Sequence, residues 1–170
     1  MSSILKVDQL QDSGGNAIIT SDGAGNLTAG TIPAKTIGTG AVLQVVQGTY
    51  STQTDSTSGS AVATGLSVNI TPQFSNSKIF VSYSLPLRNG VSSNNFILSY
   101  LYRDGSSIAL TGILKADSSG VNGHVTAEIL DTPATTSQVT YAAYVDPRGY
   151  TTQWCGAGTR ATITAMEIAG

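Results

Sequence analysis

Charge is the scarcest commodity in this 170-residue chain. Only 11% of its residues are charged, less than half the usual fraction of about 25%. Eight basic residues against ten acidic ones leave a net charge of −2. The basic residues stand singly, so no Lys/Arg cluster is present to meet phosphates, and nucleic acid is excluded as a partner. Cysteine is nearly absent too. Cys155 stands alone, which excludes an intrachain disulfide and any zinc site built on several thiolates. It reads as a small buried apolar residue. No apolar run approaches the roughly 18–20 residues of a membrane-crossing helix, so membrane insertion is not expected. An N-terminal secretory signal is also missing, and the chain reads as made and kept reduced in a cytoplasm. Helical periodicity of 3.6 residues is sustained nowhere, and Thr, Ser, Val and Gly keep helix propensity low.

What replaces charge is Ser, Thr, Gly and Asn on a 40% hydrophobic background, which is a folding composition rather than a disordered one. From Ala41 onward the apolar residues recur with period two. Leu66, Val68 and Ile70 alternate with Ser67 and Asn69. Ile79, Val81, Tyr83, Leu85 and Leu87 point one way, and Lys78, Ser82, Ser84 and Arg88 the other. Phe96, Leu98, Tyr100 and Tyr102 repeat the pattern, as do Val125, Ala127 and Ile129, then Val139, Tyr141, Ala143 and Val145. The last stretch, from Ala161 to Ile168, shifts its apolar parity at Ala165-Met166, which predicts a bulge or a change of packing face. Turn clusters separate segments of about 6–11 residues, the spacing of a sandwich or barrel. The expected fold is all-β, with eight to ten strands in an antiparallel β-sandwich, jelly-roll-like rather than immunoglobulin-like.

The first 40 residues differ. From Ile4 to Ile32 the only large apolar side chains are Ile4, Leu5, Val7, Leu10, Ile18, Ile19, Leu27 and Ile32, and every aromatic residue falls from Tyr50 onward. Turn formers fill the gaps, as in Ser13-Gly14-Gly15-Asn16. Ordering backbone costs roughly 1–2 kcal/mol per residue. A fully buried aliphatic side chain returns only about 1.5–3 kcal/mol. Such a strip is expected to complete its core with other chains. Leu5, Val7, Leu10, Ile18, Ile19 and Leu27 are the candidate residues for oligomerisation or attachment. Pro33 and Gly38-Thr39-Gly40 mark a linker. The expected division is residues 1–40 for attachment and 41–170 for the sandwich.

Catalytic chemistry finds little support. Most acids lie in turns, where Asp bonds its own backbone, and alternation sends Glu128 to the solvent face. His124 is the single histidine, and no nucleophile elbow accompanies it. Asp22-Gly23-Ala24-Gly25-Asn26 lacks the ligand pattern and terminal Glu of a calcium loop. No catalytic residue, metal or cofactor is assigned. Contact chemistry is richer in Arg148-Gly149-Tyr150-Thr151-Thr152-Gln153-Trp154, which holds the only Trp. Arg148, Tyr150 and Trp154 are candidate receptor contacts, joined by the amides of Asn94 and Asn95. A Trp154 packed into the sandwich end is the competing reading.

Several segments resemble fibre-type structural proteins of tailed phages, especially marine and cyanobacterial ones. They are the opening Ser2 to Asn16, Val42-Leu43-Gln44-Val45-Val46-Gln47, Gly65-Leu66-Ser67-Val68-Asn69-Ile70-Thr71-Pro72, Asp131-Thr132-Pro133-Ala134-Thr135-Thr136, and the ending Thr162-Ile163-Thr164-Ala165-Met166-Glu167-Ile168-Ala169. The resemblance implies a noncatalytic virion protein, usually a homotrimer. Its N-terminal part would bind other virion proteins of tail, baseplate or capsid. Its β domain would face a host surface glycan or envelope protein. A capsid decoration, cement or head-fibre trimer is the alternative. A polysaccharide-degrading tailspike fits less well, because the long repetitive β-helix sequence is absent.

Overall fold

The computed structural model describes residues 9–21, 23–24, 27–29, 38–90, 95–116 and 121–170. The chain divides into two compact units, Met1–Gly38 and Thr39–Gly170. Among the described residues regular structure is all β, with a single 3-10 turn at Gly156–Gly158.

The first unit is a three-stranded antiparallel meander of β1 (Gln9–Gln11), β2 (Ala17–Ser21) and β3 (Leu27–Ala29). Its first turn is built by Asp12. The carboxylate accepts hydrogen bonds from the backbone N–H groups of Gly14 (2.8 Å) and Asn16 (2.9 Å) and from the Asn16 amide. The Asn16 side chain, followed by its backbone, holds this carboxyl below its ordinary pKa. Leu10, Ile18 and Ile19 are exposed, so the described residues of this meander do not enclose them. Leu5 and Val7, and the side chain of Leu27, lie outside the described residues.

The second unit contains β4 (Val42–Tyr50), β5 (Thr54–Ser56), β6 (Val62–Ile70), β7 (Lys78–Asn89), β8 (Asn95–Arg103), β9 (Ser106–Ala116), β10 (Val121–Asp131), β11 (Val139–Asp146), β12 (Thr152–Trp154) and β13 (Ala161–Ile168). Eight long strands form two antiparallel sheets, ordered β4-β13-β7-β10 and β6-β11-β8-β9. Successive long strands alternate between sheets except at the β8–β9 hairpin, which is jelly-roll topology. The short β12 and β5 extend the first sheet beyond the upper end of β13.

Both seams of the sandwich are closed by tight packing on a glycine. A Cβ on Gly48 of β4 would lie 1.9 Å from the Ser67 carbonyl of β6. At the other seam, a Cβ on Gly112 of β9 would lie 2.3 Å from the Val125 side chain of β10. The core is the expected one across most strands, with Leu66, Ile70, Ile79, Val81, Leu85, Val139, Ala143 and Val145 buried. Glu128 faces solvent, as alternation predicts.

Two strands depart from the sequence reading. In β8 the inward residues are Ile97, Ser99 and Leu101, while Phe96, Leu98, Tyr100 and Tyr102 face outward. Both faces of β8 are apolar, and periodicity alone picked the more aromatic one. In β13 burial alternates without interruption, so Ala165 is inside, Met166 outside and Glu167 inside. The parity break predicted at Ala165-Met166 is therefore a buried carboxylate in an apolar slot. The irregularity in pairing lies instead between Glu167 and Ile168.

Two buried tyrosines tie the sheets together. Tyr83 bonds Ser99 Oγ at 2.7 Å and the Thr111 hydroxyl. Tyr141 donates to Asp131 Oδ2 at 2.6 Å, and Arg103 pairs with the same carboxylate at 2.8 Å. Burial raises both phenols above their ordinary pKa of 10.0, and for Tyr141 the bond to Asp131 adds to it. Below about pH 10 both tyrosines are protonated in folded and unfolded chains alike. Above it the unfolded chain releases these protons while the fold retains them, so stability falls as pH rises. Denaturant midpoints measured from pH 8 to beyond pH 11 should decline above about pH 10. In Tyr83→Phe and Tyr141→Phe the decline should be shallower, and identical slopes would exclude these residues as its source.

Candidate functional site

The two ends of the sandwich are unlike. At one end the chain enters and leaves: Gly40 N–H donates to the Ala169 carbonyl (2.8 Å) and Ala169 N–H to that of Ala41 (2.9 Å). At the other end, about 30 Å away along β7 at roughly 3.3 Å per residue, lie β5, β12 and the connections on either side of β12.

Strand register builds a polar row at this second end. Arg88 of β7 is paired with Asn122 of β10 on one side and with Gln153 of β12 on the other, and Gln153 is paired with Asp55 of β5. Arg88 and Gln153 occupy outward positions, because their neighbours Leu87, Asn89, Thr152 and Trp154 are buried, and Asp55 and Asn122 are exposed beside them. Four hydrogen-bonding side chains thus stand abreast across four strands, about 4.8 Å apart. Gln153 Nε2 donates to Asp55 Oδ1 at 2.9 Å, which leaves the second carboxylate oxygen open. The exposed Arg88 guanidinium has no hydrogen-bond or ion-pair partner among the described residues.

Two shallow clefts meet over this row. One of about 350 Å³ runs over Pro86, Arg88, Asn122, His124 and Gln153 to the wall formed by Gly156, Ala157 and Thr159. The other, of about 230 Å³, lies between Asp55, Arg88, Gly90, Thr151 and Gln153. His124 Nδ1 lies 3.4 Å from Ser84 Oγ at the inner margin. The connection carrying the wall holds two non-glycine residues in left-handed backbone, Cys155 and Ala157. Such residues cost of order 1–3 kcal/mol each and gather at binding sites.

The residues singled out in the sequence scatter. Trp154 is 2% exposed and its Nε1 donates to the Thr64 carbonyl at 2.9 Å. It is a core residue and is corrected from the receptor contacts, since an indole enclosed by protein meets no ligand. Asn95 is likewise buried, its Oδ1 accepting the Phe96 N–H, and is corrected for the same reason. Asn94 lies outside the described residues. Arg148 is exposed but sits on the opposite side of the sandwich, 4.5 Å over the Phe96 ring. Tyr150 alone is an exposed loop aromatic, at 39%. The residues that do converge were missed. Gln153 lies inside the stretch singled out and Arg88 on an expected solvent face, whereas Asp55 and Asn122 fall in the Ser/Gly-rich stretches Asp55 to Gly59 and Asp117 to Gly123, which read as turns. Their convergence depends on pairing between strands distant in sequence.

Other chemistries lack a constellation. Among the described residues no three metal-ligating side chains cluster. Cys155 is buried, and burial pushes its thiol up, away from a reactive thiolate.

No protein-family model matches the chain, and no curated protein matches it. Among solved structures it is similar to the C-terminal domain of EclA, described as a sugar-binding protein. The two are 10% identical, the match covers 66% of this chain and 78% of the other, and the TM-score is 0.39. Similarity at this level assigns no ligand.

Proposed function

We propose that the chain is a noncatalytic structural protein of a tailed-phage virion, a homotrimeric fibre or spike whose jelly-roll domain holds a host-surface glycan. The row Asp55, Gln153, Arg88 and Asn122 carries this reading. Sugar hydroxyls both donate and accept, and vicinal pairs suit a planar guanidinium, a carboxylate or an amide. The row supplies all three in one line, at a spacing close to the length of a pyranose unit. Its location supports attachment, because the chain enters the domain at the opposite end. The resemblance to phage fibre proteins points the same way. Cleavage is not part of the proposal: hydrolysis of a glycosidic bond ordinarily uses two carboxylates roughly 5–10 Å apart. Among the described residues Asp55 is the one carboxylate lining these clefts.

The test is binding of the full chain to a panel of immobilised bacterial surface polysaccharides, neutral and acidic. Arg88→Ala is expected to weaken capture by about tenfold or more, since losing a hydrogen bond to a charged group costs about 1.5–3 kcal/mol. The thermal midpoint should stay unchanged, because Arg88 is exposed and has no partner among the described residues. Capture by neither protein, or equal capture by both, would remove the row as the site. Shortening of the captured polysaccharide would overturn the noncatalytic assignment.

A further inference from the structure

The two clefts over the row differ in the charge they offer. The larger is lined by Arg88, Asn122 and His124 and by no carboxylate, whereas the smaller also holds Asp55. Asn122 and His124 are successive outward residues of β10. Asn122 stands opposite Arg88, and His124 stands opposite Pro86, two residues back along β7. This register sets His124 diagonal to Arg88, about 7–8 Å away and within reach of a long side chain. Ser84 Oγ lies beside His124 Nδ1, and a hydroxyl proton donated there leaves the ring's own proton on Nε2. Arg160, the residue after Thr159 of the wall, is exposed at the margin. Carboxylates stand further off. Glu128, the next outward acid on β10, is four residues beyond His124, about 13 Å along the strand. Asp55 is separated from Arg88 by the strand that carries Gln153, about 9–10 Å in all. The amide nitrogen of Gln153 is committed to Asp55, and its Oε1 lies against Gly156. Donors thus gather around Arg88, and acceptors lie toward β5.

We propose that the glycan is an acidic one, with the carboxylate of a uronic-acid-type sugar seated in the larger cleft on Arg88, Asn122 and His124. Its hydroxyls would then reach Gln153 and Asp55. This ligand class presupposes that the row is a glycan site. A sugar lying along the row takes water away from the Arg88 guanidinium, and a covered charge needs a counter-charge. Among the described residues no carboxylate is close enough to supply one, so the ligand must. A carboxylate accepts only, and its plane matches the guanidinium fork in a bidentate pair. A neutral sugar would cover Arg88 and leave it uncompensated. A phosphate ester offers the same charge without that planar fit.

The test uses the full chain and the polysaccharides of the panel, each compared with itself after carboxyl reduction, which turns a uronate into the neutral hexose, and after removal of phosphate. Carboxyl reduction should lower capture by about tenfold or more, the worth of a hydrogen bond to a charged group. Arg88→Ala should capture native and reduced forms about equally, and His124→Ala should narrow the preference. Lys78→Ala removes an exposed cation at the chain-entry end of the same sheet and should keep the preference whole. An equal loss of preference in Lys78→Ala would mean general charge attraction and would overturn the proposed seat. Reduced or neutral polysaccharide captured as well as the acidic form, and still weakened by Arg88→Ala, would overturn the acidic ligand while leaving the row a glycan site. Loss of capture on removal of phosphate alone would overturn the carboxylate. Capture indifferent to Arg88→Ala, or no capture at all, would remove the row and this ligand with it.

Discussion

Trp154→Ala lowers the stability of the jelly-roll unit by about 3–5 kcal/mol, the range for truncating a fully enclosed large aromatic side chain. The indole is 2% exposed and belongs to the same core cluster as Leu66, Tyr83 and Ile163. Truncation removes its dispersion contacts and leaves a cavity that surrounding strands fill only in part. It also strands the Thr64 carbonyl, which accepts the indole N–H, in a region where Thr64 itself is buried and bonded through Oγ1 to Ala143. Folded domains are stable by about 5–15 kcal/mol in total, so this loss is a large share. Far-UV circular dichroism in urea measures it, since the variant has no tryptophan to follow by fluorescence. Trp154→Phe separates packing from contact. It keeps most of the volume, loses one hydrogen bond worth about 1 kcal/mol, and should still capture polysaccharide. A Trp154→Ala protein with wild-type stability and no capture would restore Trp154 as a ligand contact.

Glu167→Leu is the second large effect, about 3 kcal/mol or more, because each buried donor left without an acceptor costs about 1–3 kcal/mol. The carboxylate is fully enclosed on β13. It accepts from Gln73 N–H at 2.7 Å, from Phe74 N–H at 3.4 Å and from Gln44 Nε2 at 2.6 Å. Gln44 Nε2 also donates to the Thr71 carbonyl at 2.7 Å. One side chain thus fastens the β6–β7 connection to both β13 and β4. Leucine fills the volume and satisfies none of these donors, so the penalty appears although hydrophobicity rises. Glu167→Gln keeps one acceptor oxygen and should lose less. Amide exchange provides a local reading: the Gln73 N–H should lose protection in Glu167→Leu well before the central strands do. A leucine variant as stable as the parent would show that these bonds contribute nothing net.

The contrast between these two residues shows how far the chain could be read in one dimension. Trp154 was drawn to the surface by its neighbours Arg148 and Tyr150, yet it follows the two-residue alternation of β12, in which Thr152 and Trp154 go in and Gln153 goes out. Glu167 looked like a break in alternation, because a carboxylate in an inward slot contradicts the hydrophobic pattern until its three donors are known. For β8 the pattern itself was ambiguous. Ile97 and Leu101 on one face and Phe96, Leu98, Tyr100 and Tyr102 on the other both satisfy period two, and only packing against β7 and β10 selects the inner set.

Alternation, turn chemistry and composition determined that this chain is all β, which segments are strands, and which residues of β6, β7 and β11 are core. Those are local properties, set by side chains two residues apart on one strand. The tertiary structure decided which strands are neighbours and in what register. Asp55, Arg88, Asn122 and Gln153 become one row only because β5, β12, β7 and β10 pair side by side. Pairing is set by how two whole sheets bury their apolar faces against each other, and no single stretch of sequence contains that balance.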